Sequence, residues 1–298
     1  MFRNLRLYRV HSPWPDSEED LAARLADAAF KPCGPFTERS SGFEPPTGEE
    51  EGLLARRVGG ADLLRLRSQV RLLPPAAVTE ALEERVVAFR NRTRREPGRR
   101  ERRDLKEEVY GELLPKALVK SERVPGFCLL KEELLAVDAA SETRAERFLE
   151  QLRNAFGSLE VTPLAFKQPL GELLQRMFLG QPPGGFAVGR ECRMQDPAAG
   201  SAVVTWSDID LDEPSVQRHV RDGLKVTRLG IRFDDVLSCV LDADGTIRKL
   251  KLHGMDAAED SVGEDEDPLA RLDAEFVLIT GSVRRLLRGL GGALGGIA

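Results

Sequence analysis

An arginine-rich segment in the first half of the chain constrains the fold more than any other sequence feature. Residues 85–106 contain ten cations, nine of them arginine, against three acids. Pro97-Gly98 interrupts the segment, and this dipeptide is typical of a turn. Apolar residues recur at helical spacing on both sides of that turn: Leu82, Val86, Phe89, Leu105, Val109 and Leu113. The pattern predicts a helical hairpin over residues 75–114, with its arginines gathered around the turn.

The stretches around the hairpin predict strands and helices in an α+β arrangement. Residues 64–72 place apolar side chains on one face and mostly arginines on the other, as in a half-buried strand. Other strands are predicted at residues 4–10, 53–58, 117–123, 126–130, 134–137, 203–206, 224–233, 236–241 and 246–252. Helices are predicted at residues 16–29, 141–157, 170–178, 213–221 and 268–290. Such an order favours antiparallel sheets with flanking helices.

Two segments are predicted to lack stable structure of their own. Residues 163–169 have the composition of a linker, and the tail at residues 289–296 is rich in glycine. Glycine loses more conformational entropy on ordering than other residues do. We therefore expect the tail to be unable to stay ordered alone.

Composition narrows the classes of protein that the chain can belong to. No run of 18 uncharged apolar residues occurs, which excludes a spanning helix, and the N-terminus has no signal-peptide pattern. The four cysteines are scattered singly and the three histidines lie far apart. We expect a reduced, cytoplasmic protein without a disulfide framework, a zinc site or histidine-based catalysis.

The arginine-rich segment has two interpretations that the residues alone leave open. Guanidinium groups pair well with phosphate oxygens, and each neutralised phosphate releases condensed counterions, so the segment could bind DNA. It could equally be a solvated helix pair with Arg–Glu contacts along its surface. The whole chain carries a net charge of −5, so the rest of it is strongly acidic. That asymmetry is typical of a chain with one surface directed at a polyanion.

An acidic segment near the C-terminus is the one candidate for metal chemistry. Seven carboxylates lie in residues 256–267, and Asp242 and Asp244 flank a predicted hairpin turn. Two-metal phosphodiester cleavage needs carboxylates held at fixed positions on rigid elements. These carboxylates fall in a loop and a turn, which favours a solvated loop. The sequence therefore predicts no catalytic residue, no metal site and no cofactor.

Several stretches, in order and spacing, resemble the recombination-associated RdgC family along the whole chain. They lie at residues 2–9, 29–34, 42–48, 73–75, 105–109, 113–117 and 272–281. Among them are Ala-Phe-Lys-Pro-Cys-Gly, Gly-Phe-Glu-Pro-Pro-Thr-Gly and Leu-Asp-Ala-Glu-Phe-Val-Leu-Ile-Thr-Gly. None is a catalytic signature.

The resemblance implies an elongated, horseshoe-like monomer that pairs into a ring-shaped homodimer. Its centre would comprise residues 1–74 and 115–168, its tip the hairpin at 75–114, and its base residues 169–298. The apolar stripe of the tip and the C-terminal helices are our candidates for the contacts between the two copies. Ring closure would place a basic hole around duplex DNA.

The resemblance also implies a non-enzymatic, nucleoid-associated protein that binds duplex and single-stranded DNA with little sequence preference and restrains the RecA recombinase. The candidate DNA-binding residues are Arg94, Arg95, Arg99, Arg100, Arg102, Arg103, Lys116, Leu118 and Lys120. Leu118 stands where relatives carry an aromatic that is thought to probe the DNA groove. A Lys-Lys-Gln stretch of relatives aligns with Ser207, Asp208 and Ile209, so DNA contact there is in doubt.

Two other functions stay open as alternatives. One is a metal-dependent nuclease that uses the acidic segment, and the other is an RNA-binding or protein-interaction module.

Overall fold

The computed structural model describes residues 2–49, 51–198, 202–253 and 267–298. Its helices are α1 (Glu18–Leu25), α2 (Pro75–Thr93), α3 (Arg99–Leu113), α4 (Glu142–Phe156), α5 (Leu170–Phe178), α6 (Pro214–Arg221) and α7 (Pro268–Ala293). Its strands are β1 (Leu5–Val10), β2 (Arg39–Phe43), β3 (Ala55–Val58), β4 (Ala61–Leu72), β5 (Leu118–Leu129), β6 (Leu134–Asp138), β7 (Val161–Pro163), β8 (Phe186–Gln195), β9 (Val203–Ser207), β10 (Lys225–Phe233), β11 (Leu237–Asp242) and β12 (Ile247–Leu252). The α+β class predicted from the sequence is confirmed.

All of these strands belong to one antiparallel sheet. Its order is β2-β4-β5-β6-β1-β12-β11-β10-β8-β9, with β3 added to β4 and β7 added to β1. The two halves of the sheet join where Leu5 of β1 pairs with Ile247 of β12. Helix α7 also bridges toward the first half, because Arg56 on β3 makes a bidentate contact of 3.1 and 2.6 Å with Asp273.

The apolar residues divide into two cores on opposite faces of the sheet. Alternation along β1 sends Leu5 and Leu7 into one core and Tyr8 and Val10 into the other. The larger core packs against α5 and α7, and the smaller against α1 and α4. Phe148 of α4 is fully buried in the smaller core. The division into centre, tip and base stays a prediction.

The longest ladder joins β4 to β5 and carries the hairpin at its end. It runs without a break from Leu72 opposite Leu118 to Ala61 opposite Leu129. The prediction of two strands at 117–123 and 126–130 was therefore wrong, because Pro125 lies inside β5. Pairing between β5 and β6 begins only at Gly126. A missing N–H at Pro125 consequently costs no hydrogen bond on that side of the strand.

The C-terminal tail is ordered, which corrects the prediction made from its glycine content. Leu294 is fully buried, and α7 continues to Ala293 instead of ending at residue 290. The amide nitrogens of Lys167 and Gln168 donate to the carbonyls of Gly296 (3.0 Å) and Leu294 (3.1 Å). The segment predicted as a linker thus supplies the partners that order the tail. Strands β2, β7 and β8 were missed by the sequence analysis.

Candidate nucleic-acid interface

Helices α2 and α3 form the predicted hairpin, which leaves the sheet after β4 and returns to it at β5. Arg94 ends α2 in a left-handed conformation, with a φ of 59°. Gly98 precedes α3, and its N–H donates to the Glu101 carboxylate at 2.8 Å. The chain therefore reverses within five residues. The hairpin predicted from Pro97-Gly98 and the flanking apolar spacing is confirmed.

A compact network of charged side chains fixes the turn. The Arg95 guanidinium makes two hydrogen bonds of 2.7 and 2.6 Å to the Glu101 carboxylate, and it also lies 5.2 Å from the centre of the Phe89 ring. These contacts, with the Gly98 N–H, lower the pKa of Glu101 to about 2. Arg90 and Glu96 form a second ion pair at 2.5 Å. Arg95 thus links the two sides of the turn through its contact with Glu101.

Four of the predicted DNA-binding arginines have no such partner. The side chains of Arg94, Arg99, Arg100 and Arg102 are exposed, with no ion pair or hydrogen bond from their guanidinium groups within the described ranges. Arg103 has an i,i+4 contact with Glu107 at 3.6 Å, in which both side chains are more than two-thirds exposed. Such surface pairs contribute little stability. These five arginines are available to an external anion.

The charge of the hairpin is graded along its length. Residues 90–103, around the turn, hold eight arginines and two glutamates. The parts nearer the sheet, residues 75–89 and 104–114, hold seven acids and two cations. The hairpin as a whole is therefore close to neutral, and its positive potential is concentrated at the end farthest from the sheet.

The base of the hairpin is fastened to the sheet by Arg71, near the end of β4. Its guanidinium donates to the carbonyls of Leu114, Pro115 and Ala117 at 3.2–3.3 Å. It also donates to the carbonyl of Gly34 at 3.1 Å. One rigid, planar group therefore satisfies the backbone at the point where the hairpin rejoins the sheet. This contact sets the position of everything beyond it.

Lys116, Leu118 and Lys120 lie at the base of the hairpin instead of at its turn. All three are exposed, and the side chain of Leu118 is 78% exposed. Leu118 is paired with Leu72, which is also exposed. Since α3 has 15 residues at about 1.5 Å each, about 22 Å separates these residues from the turn. The structure therefore brings the predicted residues together in two groups, one at each end of α3.

A second basic surface lies on the other half of the sheet. A cleft of about 620 Å³ on β8, β10, β11 and β12 is lined by Arg232, Lys249, Lys251 and Arg190. The sequence analysis did not include these residues among the site residues, although cations alternate along β10 and β12. Lys249 pairs with Glu191, which also lines the cleft. Arg228 and Arg248 on the same strands do not contribute a free charge either, because both pair with Asp242, at 2.5 and 2.7 Å.

Ser207, Asp208 and Ile209, which align with the Lys-Lys-Gln stretch of relatives, lie beside that cleft, and Asp208 lines it. Asp208 pairs with Arg190 at 2.8 Å and reduces the positive charge there. Ser207 ends β9, and Ile209 packs against the larger core. Their side chains offer no cation to a phosphate.

Most of the acidic segment lies outside the described residues, apart from Asp267, whose side chain accepts a hydrogen bond from the Leu269 N–H. Asp242 is held by two arginines, and Asp244 contacts Arg6 at 3.5 Å and accepts from the Thr246 N–H at 2.9 Å. In the part of the chain that is described, no three His, Cys, Asp or Glu side chains are grouped so as to hold a metal ion. No helix there is long and apolar enough to cross a membrane.

Comparison with known proteins matches this chain over its whole length. Residues 1–297 match a family model described as "Putative exonuclease, RdgC". The recombination-associated protein RdgC of Shewanella oneidensis MR-1 is 33% identical over 298 residues, covering 99% of this chain and 98% of the relative. The same values hold for the proteins of that name from Shewanella baltica OS223 and Shewanella sp. ANA-3. The chain belongs to the RdgC family of recombination-associated proteins.

Proposed function

We propose that this protein binds DNA with little sequence preference and modulates RecA-dependent recombination. In this proposal two copies form a ring around duplex DNA, and single-stranded DNA binds as well. The observation that carries the proposal is the group of exposed arginines around the turn of the hairpin that have no partner in the described part of the chain. The name of the relatives, recombination-associated protein, supports the link to recombination. Such a protein would be associated with the nucleoid in the cytoplasm.

The geometry of the arginines supports phosphate contact without base readout. Arg99, Arg100 and Arg102 project from the first turns of α3, which holds them near one another without ordering them in a network. Exposed guanidinium groups of this kind neutralise phosphates regardless of sequence. Affinity should therefore fall steeply with salt and vary little among unrelated DNA sequences, which fluorescence anisotropy with labelled duplexes can measure.

Exposed apolar side chains at two separate places support the ring. Val87 on α2 is 49% exposed and Leu278 on α7 is 54% exposed. A two-fold ring needs one self-complementary contact at the hairpin and another elsewhere on each monomer. We assign these contacts to Val87 on α2 and to α7. The apolar stripe of the hairpin, which was the candidate from the sequence, does not supply the contact, because Leu82, Val86 and Val109 are buried within the monomer.

A topological assay distinguishes a ring from an open clamp. The protein is loaded on closed circular DNA at low salt, and the complex is then challenged with high salt before and after linearisation. A ring is retained on the circle and slides off the linear form. Equal loss from both forms would contradict encirclement, even if the affinity and its salt dependence were as expected.

We propose that the protein is not an enzyme, although the matching family model carries the word exonuclease in its description. The histidines offer no catalytic pair: His11 contacts Thr162, and His219 stacks beside Trp206. Supercoiled plasmid and linear duplex, each incubated with magnesium and catalytic amounts of protein, test this point, because an exonuclease needs a free strand end. Nicking or end degradation that disappears on changing Asp265 and Asp267 to asparagine would establish the nuclease alternative instead.

The remaining alternative is an RNA-binding or protein-interaction module. Competition between duplex DNA and structured RNA separates it from the proposal, because A-form grooves present 2′-hydroxyls that exposed arginines do not read. The link to RecA is tested by strand exchange with and without the protein. Inhibition that disappears when DNA is in large excess would support competition for DNA.

A further inference from the structure

Three arginines from neighbouring strands converge on one carboxylate, away from the hairpin turn. Arg65 and Arg67 on β4 and Arg123 on β5 project from the same face of the ladder. Glu44, just after β2, receives all three: its Oε1 lies 2.8 Å from Arg65 Nε and 2.7 Å from Arg123 Nε, and its Oε2 lies 3.4 Å from Arg67 Nη1. We call these four residues the Glu44 cluster.

The Glu44 cluster has more positive charge than its own carboxylate can neutralise. Three guanidinium groups face one glutamate, and Glu49, the other acid among the described residues that line the surrounding cleft, is exposed. Burial, followed by the nearby Arg123 charge, lowers the pKa of Arg65 despite the attraction of Glu44. The side chains of Arg65 and Arg67 are 24% and 28% exposed, so solvent screens their mutual repulsion only in part, and a bound anion would offset the remainder.

One hydrogen-bond donor in the cluster lacks an acceptor. Arg67 Nε is buried and has no hydrogen-bond partner among the described residues. Arg65 is better satisfied, since its Nε lies 2.8 Å from Glu44 Oε1 and its Nη2 donates to the Pro45 carbonyl at 2.5 Å. Buried donors are paired in the great majority of cases, so the Arg67 Nε indicates an absent acceptor.

A cleft beside the cluster is large enough to admit that acceptor. It has a volume of about 540 Å³, and Phe30, Pro45 and Gly48 complete its walls. The Arg67 guanidinium lies 4.5 Å from the centre of the Phe30 ring, which fixes its orientation. The volume falls within the range of small-molecule sites, about 300–1,000 Å³.

Two of the stretches that resemble the RdgC family, residues 29–34 and 42–48, lie outside the hairpin and meet at this cleft. Phe30 belongs to residues 29–34, and Glu44, Pro45 and Gly48 belong to residues 42–48. They meet because the Phe30 N–H donates to the carbonyl of Phe43 at 2.8 Å. Gly42 permits this approach, since a Cβ there would lie 2.5 Å from the Phe30 backbone. Both stretches therefore contribute to building the cleft.

We propose that the Glu44 cluster binds a phosphate monoester. The three arginines and one glutamate leave two positive charges, which match the dianion that a phosphate monoester carries at neutral pH, since its second pKa is about 6. Guanidinium groups bind such oxygens through paired N–H donors. A ligand with a single carboxylate would neutralise only one of the two excess positive charges. The monoester can come from a free nucleotide or from the 5′ end of a DNA strand.

Calorimetric titration of the full-length protein at constant ionic strength tests the proposal. The probes are inorganic phosphate and deoxyadenosine 5′-monophosphate, with chloride as the compensating anion. We expect saturable binding in the millimolar range or tighter. Arg123→Gln, which changes the most exposed of the three arginines, should weaken binding about tenfold, as expected for loss of one charge-assisted hydrogen bond.

Two further variants make the result decisive. Glu44→Gln removes the internal competitor, so it should tighten phosphate binding, whereas a purely structural ion cluster would lose stability and gain no affinity. Arg147→Gln is the matched control, since Arg147 is exposed on α4 and lies outside the cluster. Absence of saturable binding to the wild-type protein, or equal affinity of Arg123→Gln and Arg147→Gln, would overturn the proposal.

Oligonucleotides distinguish the two sources of the monoester. Blunt DNA hairpins with and without a 5′-phosphate are compared in their binding to wild type and to Arg123→Gln. A preference for the phosphorylated end that Arg123→Gln abolishes identifies a strand terminus as the ligand. Nucleotide binding without that preference identifies a free nucleotide. Because the nucleotide titration contains no DNA, failure of the proposed DNA-binding function would leave this result unaffected.

Discussion

Changing Arg99, Arg100 and Arg102 together to glutamine is the sharpest perturbation of the proposed DNA interface. All three are exposed and unpartnered within the described residues, so no internal contact is lost. On duplex DNA each phosphate contact contributes about 0.9 to the slope of log K against log salt. Losing three contacts per protomer, or six in the proposed ring, should therefore reduce the steepness of that slope by about 5.4. At physiological salt the same relation gives about 1 kcal/mol per contact, or binding weaker by about four orders of magnitude for six.

The assay is fluorescence anisotropy with a labelled duplex over a range of salt concentrations. The matched control changes Lys131, Arg147 and Arg176, which are exposed cations elsewhere on the molecule. We expect the control to keep the wild-type salt slope and to unfold within about 0.5 kcal/mol of wild type, as exposed substitutions usually do. The hairpin variant should be at least as stable as wild type, because its arginines lie near the N-terminus of α3. Equal slopes for the hairpin variant and wild type would refute the assignment of these arginines to phosphate contacts.

Three other predictions concern single residues. The Glu101 carboxyl should titrate near pH 2 by NMR, and Arg95→Gln should raise this titration midpoint. The stabilisation of the turn by Glu101 is therefore present above the ordinary pKa of a glutamate and is lost as the pH falls toward 2. Leu118→Phe should strengthen DNA binding by about 1–3 kcal/mol if the side chain reaches a base, and Leu118→Ala should leave the unfolding midpoint unchanged because the residue is exposed. Ellman's reagent should label Cys33 in the native protein but Cys192 only after unfolding, because burial raises the pKa of Cys192 to about 12.

The hairpin could be predicted from sequence because its signals are local. Helical spacing of apolar residues and a Pro-Gly turn lie within 40 residues of one another. Which arginines are unpaired could not be predicted, since Arg95 meets Glu101 across the turn, at a spacing of six residues that no helical rule describes. That Arg94, Arg99, Arg100 and Arg102 remain exposed is likewise evident only from the folded turn. The sequence thus indicated the charged region but did not separate structural arginines from available ones.

Features that depend on distant pairing were missed for a related reason. Strand β8 contains Gly189 and two register shifts against β10, so a regular alternation of apolar residues is lost. The Glu44 cluster joins residues 44, 65, 67 and 123, which become neighbours only through the registers of β2, β4 and β5. The tail is ordered by hydrogen bonds to residues 165–168, which its own composition cannot indicate.

The position of the exposed arginines argues against the simpler interpretation of a solvated helix pair. Arg99 and Arg100 occupy the first turn of α3, where the helix dipole favours acids and disfavours cations by about 0.3–1 kcal/mol. Glu101 is the one acid of this turn and caps the helix through the Gly98 N–H. A helix selected only for stability would not place arginines beside it, yet other acids, Asp104, Glu107 and Glu108, lie farther along. A bound phosphate reverses the sign of this effect, because it neutralises the guanidinium groups and is itself attracted to the helix N-terminus. The same charge order that is unfavourable in the isolated hairpin is therefore favourable in a complex with DNA.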